Sequence, residues 1–284
     1  MKNEKDLLAS KILNIRYFEE SLDKLFENRK IFGTYHRCIG QEATAVSFCH
    51  FLDRNKDFVV SNHRNHGHYL SLTEDYRGLM NEIMGNENGV SQGLGGSQVL
   101  LSKNFFSNGI IGSTIAIASG ISFGMKIKKK GGICVCFIGD GAMGQGIVYE
   151  SLNMTSLYNL PILFVLEQNN ISQSTSVNEI TSGSFQKRFE SFGIKTKKIK
   201  STNVYELSKK SIPIIKEVRK KSKPLCVVVE ADRLCAHSKG DDFRKKINFS
   251  NDPINHLKKN NKNFDILNTK SKEMINLLIN GLIK

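Results

Sequence analysis

The chain has 284 residues, 39% of them hydrophobic and 24% charged, and a formal net charge of +14. Such a length holds one large α/β domain or two small ones, and such a composition is that of a globular, soluble chain. The basic residues form no single helix with interleaved aromatics and no zinc-finger or RNP-like motif appears; the lysine excess reads as a solvated surface or an attraction for an acidic partner or anionic substrate, not for nucleic acid.

The first residues, MKNEKDLLAS, are charged and carry no apolar stretch of a secretory leader, so a cytoplasmic location is expected. Residues 4–28 repeat apolar side chains at three- and four-residue steps and read as a helix; 33–52 is a glycine-punctuated loop running into another. Residues 57–72 read as a short strand, a histidine-rich turn and a helix start, and 79–100 begins helical and becomes a glycine-rich loop. Residues 109–127 come nearest to a membrane span, but their Gly and Ser content reads as a tightly packed helix of a soluble protein. Residues 133–138, 160–167 and 224–232 are apolar runs of buried parallel strands, with helices at 147–159, 185–193 and 204–222, the last interrupted near Pro213. A polar, mobile loop at 233–246 and a final amphipathic helix, KEMINLLINGLI, close the chain. The six cysteines form no CxxC, and Cys134, Cys136 and Cys226 lie in strand runs, as reduced thiols do. Alternating strands and helices predict an α/β fold with a doubly wound, mostly parallel sheet, as one domain over 1–284 with a short helical end at about 250–284.

The first strand of the second half ends in GDGAMGQG (139–146). Gly139, Gly141 and Gly144 fit GxGxxG, and Glu167 lies 167 − 144 = 23 residues on, near the place of a ribose-binding acid, so a dinucleotide-binding oxidoreductase is one reading. Asp140 argues against it. A carboxylate facing a bare pyrophosphate costs about 4 kcal/mol per charge pair at about 4 Å, whereas a divalent cation between the two reverses the sign. A second oxygen ligand is expected after the next strand, where Asn169 follows Asp140 by 169 − 140 = 29 residues. His63, His66 and His68 raise the thought of zinc, but their spacing lacks a fourth ligand and a fixed face.

GDG followed about 30 residues later by an asparagine pair resembles the thiamine diphosphate signature. GTYHRCIGQEA, NHRNHG, GLGGSQ, NGIIG, GDGAMGQGIVYESLNMTSLYNLPILFVLEQNN and RLCAHS, in that order, resemble the motifs of the alpha subunit of the first component of 2-oxo acid dehydrogenases, the family of pyruvate, branched-chain and acetoin dehydrogenases. The resemblance implies a thiamine diphosphate-binding fold and covers nearly the whole chain. It implies that Asp140, Asn169 and the Ile171 carbonyl bind Mg²⁺, with Asn170 as the other candidate for the asparagine ligand. Gly139, Gly141 and Ala142 are expected to offer N–H groups to the diphosphate at the helix start. Arg64, Arg233 and His63 are expected to grip it from outside, and Gly109 and Ile111 to line the organic rings. His36 and His237 are the expected catalytic groups at the mouth, acting on the 2-oxo acid and in acyl transfer to a lipoyl group, with His237 also touching cofactor.

The resemblance also implies a beta subunit that supplies a glutamate on the aminopyrimidine side, an α₂β₂ heterotetramer, and a lipoyl-bearing acyltransferase partner, with no nucleic acid or membrane involved. The chain departs from the family at three places: Val99 stands where GGSMH has histidine, Cys235 where histidine is common, and His63 where tyrosine is usual. These leave open a stand-alone thiamine diphosphate enzyme that cleaves acetoin or another ketone, or passes its product to a non-lipoyl acceptor. A basic scaffold protein is the alternative of another class.

Overall fold

The computed structural model describes residues 3–129, 131–238, 244 and 246–283. Helix α1 (Glu4–Glu27) buries Leu8, Ile12, Ile15, Phe18, Leu22 and Leu25 along one stripe. Asn3 caps it by accepting from the Lys5 N–H, and Glu4 and Asp6 complement its positive end. Then follow α2 (Glu42–Cys49), β1 (Phe58–Ser61), α3 (His66–Thr73) and α4 (Tyr76–Ile83). A small pair, β2 (Leu101–Ser102) and β3 (Phe105–Ser107), precedes the small-residue helix α5 (Ser113–Lys128). β4 (Cys134–Gly139) leads through a 3₁₀ turn, Asp140–Gly144, into α6 (Gly146–Leu157) and β5 (Ile162–Gln168). A hairpin of β6 (Ile171–Ser172) and β7 (Thr175–Ser176) and two short helices, α7 (Val177–Ile180) and α8 (Phe185–Glu190), follow. The remainder is β8 (Lys195–Lys200), α9 (Val204–Lys221), β9 (Leu225–Glu230), α10 (Pro253–Asn260) and α11 (Phe264–Ile283).

The main sheet runs β2-β3-β1-β4-β5-β9-β8, and only the β2–β3 pair is antiparallel. Strand pleating sorts the core into two layers. Val135 and Phe137 of β4 and Leu163 and Val165 of β5 join the layer of α1, α2 and α9. Their neighbours Cys136, Ile138, Phe164 and Leu166 join the layer of α5, α6 and α8. Each such fully buried side chain contributes roughly 1.5–3 kcal/mol, which is why both faces of these strands are apolar. The α/β, doubly wound expectation therefore holds. From β1 the chain passes to β3 on one side, then crosses back through α5 to β4 on the other. That reversal opens a crevice at the carboxyl ends of β1 and β4, where open α/β sheets bind ligands.

Several elements differ from expectation. Helix α9 runs unbroken through Pro213. The buried Leu207, Ile214, Ile215 and Val218 and the Asn203 cap hold it, outweighing the one hydrogen bond proline forfeits. Strand β8, KTKKIK, is an edge strand whose one buried residue is Ile199; its lysines give no apolar alternation and guard the open edge. Helix α11 starts eight residues earlier than KEMINLLINGLI (272 − 264 = 8) and packs against α1, where Tyr17 Oη donates to Asn268 Oδ1 at 2.7 Å. Of the loop expected to be mobile, residues 239–243 and 245 lie outside the described residues. No helix among the described residues is long and apolar enough to cross a membrane.

Candidate functional site

A cleft of about 810 Å³, open mouth included, lies at the carboxyl ends of β1, β4, β5 and β9. Its floor is the turn after β4. Asp140 is 1% exposed; its Oδ1 accepts from the Gly141 N–H at 2.9 Å and its Oδ2 from the Asn170 N–H at 2.6 Å. Burial pushes its carboxyl up to about 6, against the N–H groups of Asn170, Gly141 and Asn169 that favour the anion. Asn169 lines the same cleft, with Oδ1 held by the Ile171 N–H at 3.0 Å. Asn170 turns away: its backbone is left-handed (φ 62°), its Oδ1 accepts from Gln168 Nε2 at 2.8 Å, and it lines a separate polar cleft beside Asp232. The asparagine on Asp140's side is thus Asn169.

Two features missed by the sequence reading hold this floor. The β6–β7 hairpin fixes Ile171 opposite Ser176, its four paired residues being too few to show a period. A Cβ at position 141 would lie 2.5 Å from Ser172 Oγ, so only glycine fits where the turn meets the hairpin. The N–H groups of Gly141 and Ala142 belong to the 3₁₀ turn; α6 itself starts only at Gly146. A buried carboxylate, an amide oxygen and a nearby carbonyl form a hard-oxygen donor set. The backbone N–H groups fix the direction of the side-chain oxygens and leave each a further lone pair. These residues fit a divalent cation of the Mg²⁺ type.

The cleft wall carries Ile111, 44% exposed, and Ile110, 69% exposed. Gly109 does not line it. A Cβ there would meet Gln98 Oε1 at 2.0 Å, so this glycine makes room for Gln98 instead.

The mouth is built from three loops far apart in sequence. His36, His63 and His237 bring ring nitrogens within 4.8 Å of one another. Ring centroids lie 4.7 Å (His36–His63), 4.8 Å (His36–His237) and 5.5 Å (His63–His237) apart. Burial, then the charges of Arg64, His36, His237 and Arg233, push the His63 imidazole well below its usual range, so it stays neutral. Arg64 and Arg233 are buried, and both approach His237 Nδ1 at 3.4 Å. Arg64 Nη2 also donates to the His237 carbonyl at 3.2 Å, and Arg233 Nη2 to that of Gln173 at 2.9 Å. Arg244 straps the last loop, donating to the carbonyls of Arg233 and Cys235, both at 2.7 Å.

His66 and His68 stand apart from this trio. His66 bonds Glu19 Oε1 and Ser97 Oγ, both at 3.0 Å, and His68 bonds Ser61 Oγ at 2.8 Å while stacking on Phe137. Glu167 lines the cleft but is 2% exposed, with Oε1 3.5 Å from His68 Nε2. The structure therefore brings His36, His63, Arg64, Arg233 and His237 together at the mouth. Gly139, Asp140, Gly141, Ala142, Asn169 and Ile171 share the floor, Ile111 stands on the wall, and Gly109 packs against Gln98. Gln41, Asn62, Asn108 and Gln173 also line the cleft; the first three lie within the motifs GTYHRCIGQEA, NHRNHG and NGIIG, while Gln173 has no sequence signal of its own.

Comparison with known proteins agrees with this geometry. The dehydrogenase E1 component family matches residues 10–283. A pyruvate dehydrogenase E1 component subunit alpha of Zymomonas mobilis is 33% identical over 261 residues, 90% of this chain and 73% of its own. That of Rickettsia bellii is 33% identical over 269 residues, 91% of this chain and 81% of its own. The alpha subunit of an acetoin:2,6-dichlorophenolindophenol oxidoreductase of Cupriavidus necator is 34% identical over 235 residues, 81% of this chain and 70% of its own.

Proposed function

This chain belongs to the dehydrogenase E1 component family, and from that premise we propose that it is the alpha subunit of a thiamine diphosphate- and Mg²⁺-dependent 2-oxo acid dehydrogenase. The reaction is oxidative decarboxylation with acyl transfer to a lipoyl group. The observation that carries the reading is Asp140: a buried carboxylate, held near a pKa of 6, aimed with Asn169 into a cleft walled by two arginines. Such a carboxylate is out of place beside an anion unless a cation joins them. The dinucleotide and scaffold readings leave Asp140 and the arginine–histidine mouth without a use.

Asp140, Asn169 and the Ile171 carbonyl would hold the metal. The N–H groups of Gly141 and Ala142 and the guanidiniums of Arg64 and Arg233 would hold the diphosphate. Bound thiamine diphosphate would supply the carbon nucleophile and the electron sink for loss of carbon dioxide. Ile111 would line the rings and exclude water. The mouth histidines receive the substrate carboxylate and move protons: His63, held neutral, adds no charge, while His36 and His237 meet edge to face beside it, ring centroids 4.8 Å apart.

A beta subunit completes the site. Ile110, Ile111 and Ile147 stand exposed around the cleft, and Met154, Leu157 and Tyr158 continue that face along α6. On α5, Gly120 and Gly124 leave open space beside it. An apolar face of this kind at the cleft rim suits a subunit interface, with two copies of each chain as the assembly. Co-expression with the beta subunit and assay of carbon dioxide release from 2-oxo acids, with acetoin cleavage run alongside, tests the reading. Metal- and cofactor-dependent release from a 2-oxo acid supports it; cleavage of acetoin alone moves the substrate class to ketones, and neither activity from a folded complex refutes it.

A further inference from the structure

Gln98 follows the glycine-rich loop, and its amide Nε2 lies 3.3 Å from His36 Nδ1. An amide nitrogen only donates, so His36 Nδ1 accepts, and the neutral ring carries its proton on Nε2. Three separate features place that amide. Glu82, fully buried, accepts the N–H groups of Ser91, Gly93, Gly95 and Gly96 at 2.6, 2.9, 2.7 and 3.1 Å, which fixes the loop before it. Asn65 Nδ2 and Ser107 Oγ both donate to the Gln98 carbonyl, at 3.0 and 2.9 Å. Gly109 leaves the room its Oε1 occupies, since a Cβ there would stand 2.0 Å from it.

We propose that Gln98 is a positioning residue for His36: it locks the imidazole in the Nε2–H form and points that proton donor into the histidine cluster. The inference rests on the functional reading above, in which His36 meets the substrate. It belongs to this chain's own sequence, because the resembled motif GGSMH has methionine at this place and histidine at the next, where Val99 stands here. A donor aimed at Nδ1 opposes protonation there and leaves the ring one defined proton to give, on Nε2. Among the described residues, His63 and His237, from the loops after β1 and β9, pack against the His36 ring, with Arg64 and Arg233 behind them.

The test compares wild type with Gln98→Met and Gln98→Glu. Long-range proton–nitrogen NMR of the histidine-labelled full chain reads the imidazole tautomer, with His36→Asn to assign the signals. Wild type is expected as the Nε2–H form, Gln98→Met as a mixture, and Gln98→Glu as a ring protonated on Nδ1. In the complex with the beta subunit, kcat for the 2-oxo acid is expected to fall about tenfold in Gln98→Met and about a hundredfold in Gln98→Glu, with KM within about twofold and the acid limb of the pH profile moved upward. A His36 tautomer unchanged in both variants, or a changed tautomer with unchanged kcat and pH profile, overturns the proposal. Either variant reads the same nitrogen if the other folds poorly. Failure of the wild-type complex to turn over any 2-oxo acid refutes the functional reading instead, while the imidazole spectrum still decides the hold on His36.

Discussion

The floor and the mouth of the cleft are built in opposite ways. The floor comes from two neighbouring strands, β4 and β5, in register from Cys134↔Ile162 to Gly139↔Glu167. Both carboxylate oxygens of Asp140 and the Asn169 oxygen are tied to backbone N–H groups of that same pair of turns. The mouth joins residues up to 237 − 36 = 201 positions apart, through side chains on loops: the Arg64 and Arg233 guanidiniums, the three imidazoles and Gln98. A backbone-tied floor is rigid and suits a task of binding at fixed geometry. A mouth of side chains on loops can adjust as ligands pass.

The division predicts that substitutions of the mouth histidines change turnover and floor substitutions change binding. His36→Asn and His237→Asn are expected to lower kcat by about a hundred- to a thousandfold in the complex, with cofactor affinity within about threefold. Steady-state kinetics beside calorimetry separates the two; a parallel loss of affinity would erase the distinction. Gly141→Ala is expected to weaken cofactor binding about tenfold or more. Its new Cβ meets Ser172 Oγ, and moving the hairpin shifts the Ile171 carbonyl with it.

The pH dependence sharpens the comparison further. Asp140's folded pKa, about 6, lies above its usual 3.8, so the metal-free fold binds more protons there than the unfolded chain. Its relative stability from this group is full below about pH 4 and is lost as pH rises through about 6, a difference of at most about 3 kcal/mol. Metal needs the anion, so cofactor affinity is expected to fall about tenfold per pH unit below about 6. Thermal melts with and without metal, and titrations across that range, check both signs. Glu82→Ala, which strips four N–H groups of their acceptor, is expected to cost about 2–3 kcal/mol of stability on chemical denaturation. His63→Tyr, the usual residue of the resembled family, is the smallest change: cofactor affinity should stay within about threefold.

What the sequence disclosed follows the same division. The floor was legible because an apolar strand, a glycine turn and a displaced acid are local signals: Asp140 stood out by its charge, and spacing led to the asparagine pair, of which the resemblance favoured Asn169. The strands at 134–139, 162–168 and 225–230 were legible for the same reason. β8 was not, because an edge strand of lysines shows neither alternation nor an apolar run. Pro213 misled because local rules carry no account of the packing that holds α9. The histidine trio has no local signature; the adjacent His63, His66 and His68 drew attention, yet their side chains diverge on folding. Gly109 gave no local sign of its packing: the space beside it is taken by Gln98, which stands where the resembled motif has methionine.

The most direct measurement is calorimetric titration of thiamine diphosphate into the complex with the beta subunit, with Mg²⁺, with EDTA, and in Asp140→Ala. Saturable binding that requires Mg²⁺ and disappears in both controls is the expected result. Binding of equal strength without metal, or undiminished in Asp140→Ala, would contradict the assignment of Asp140 as the group that lets a diphosphate settle on this floor.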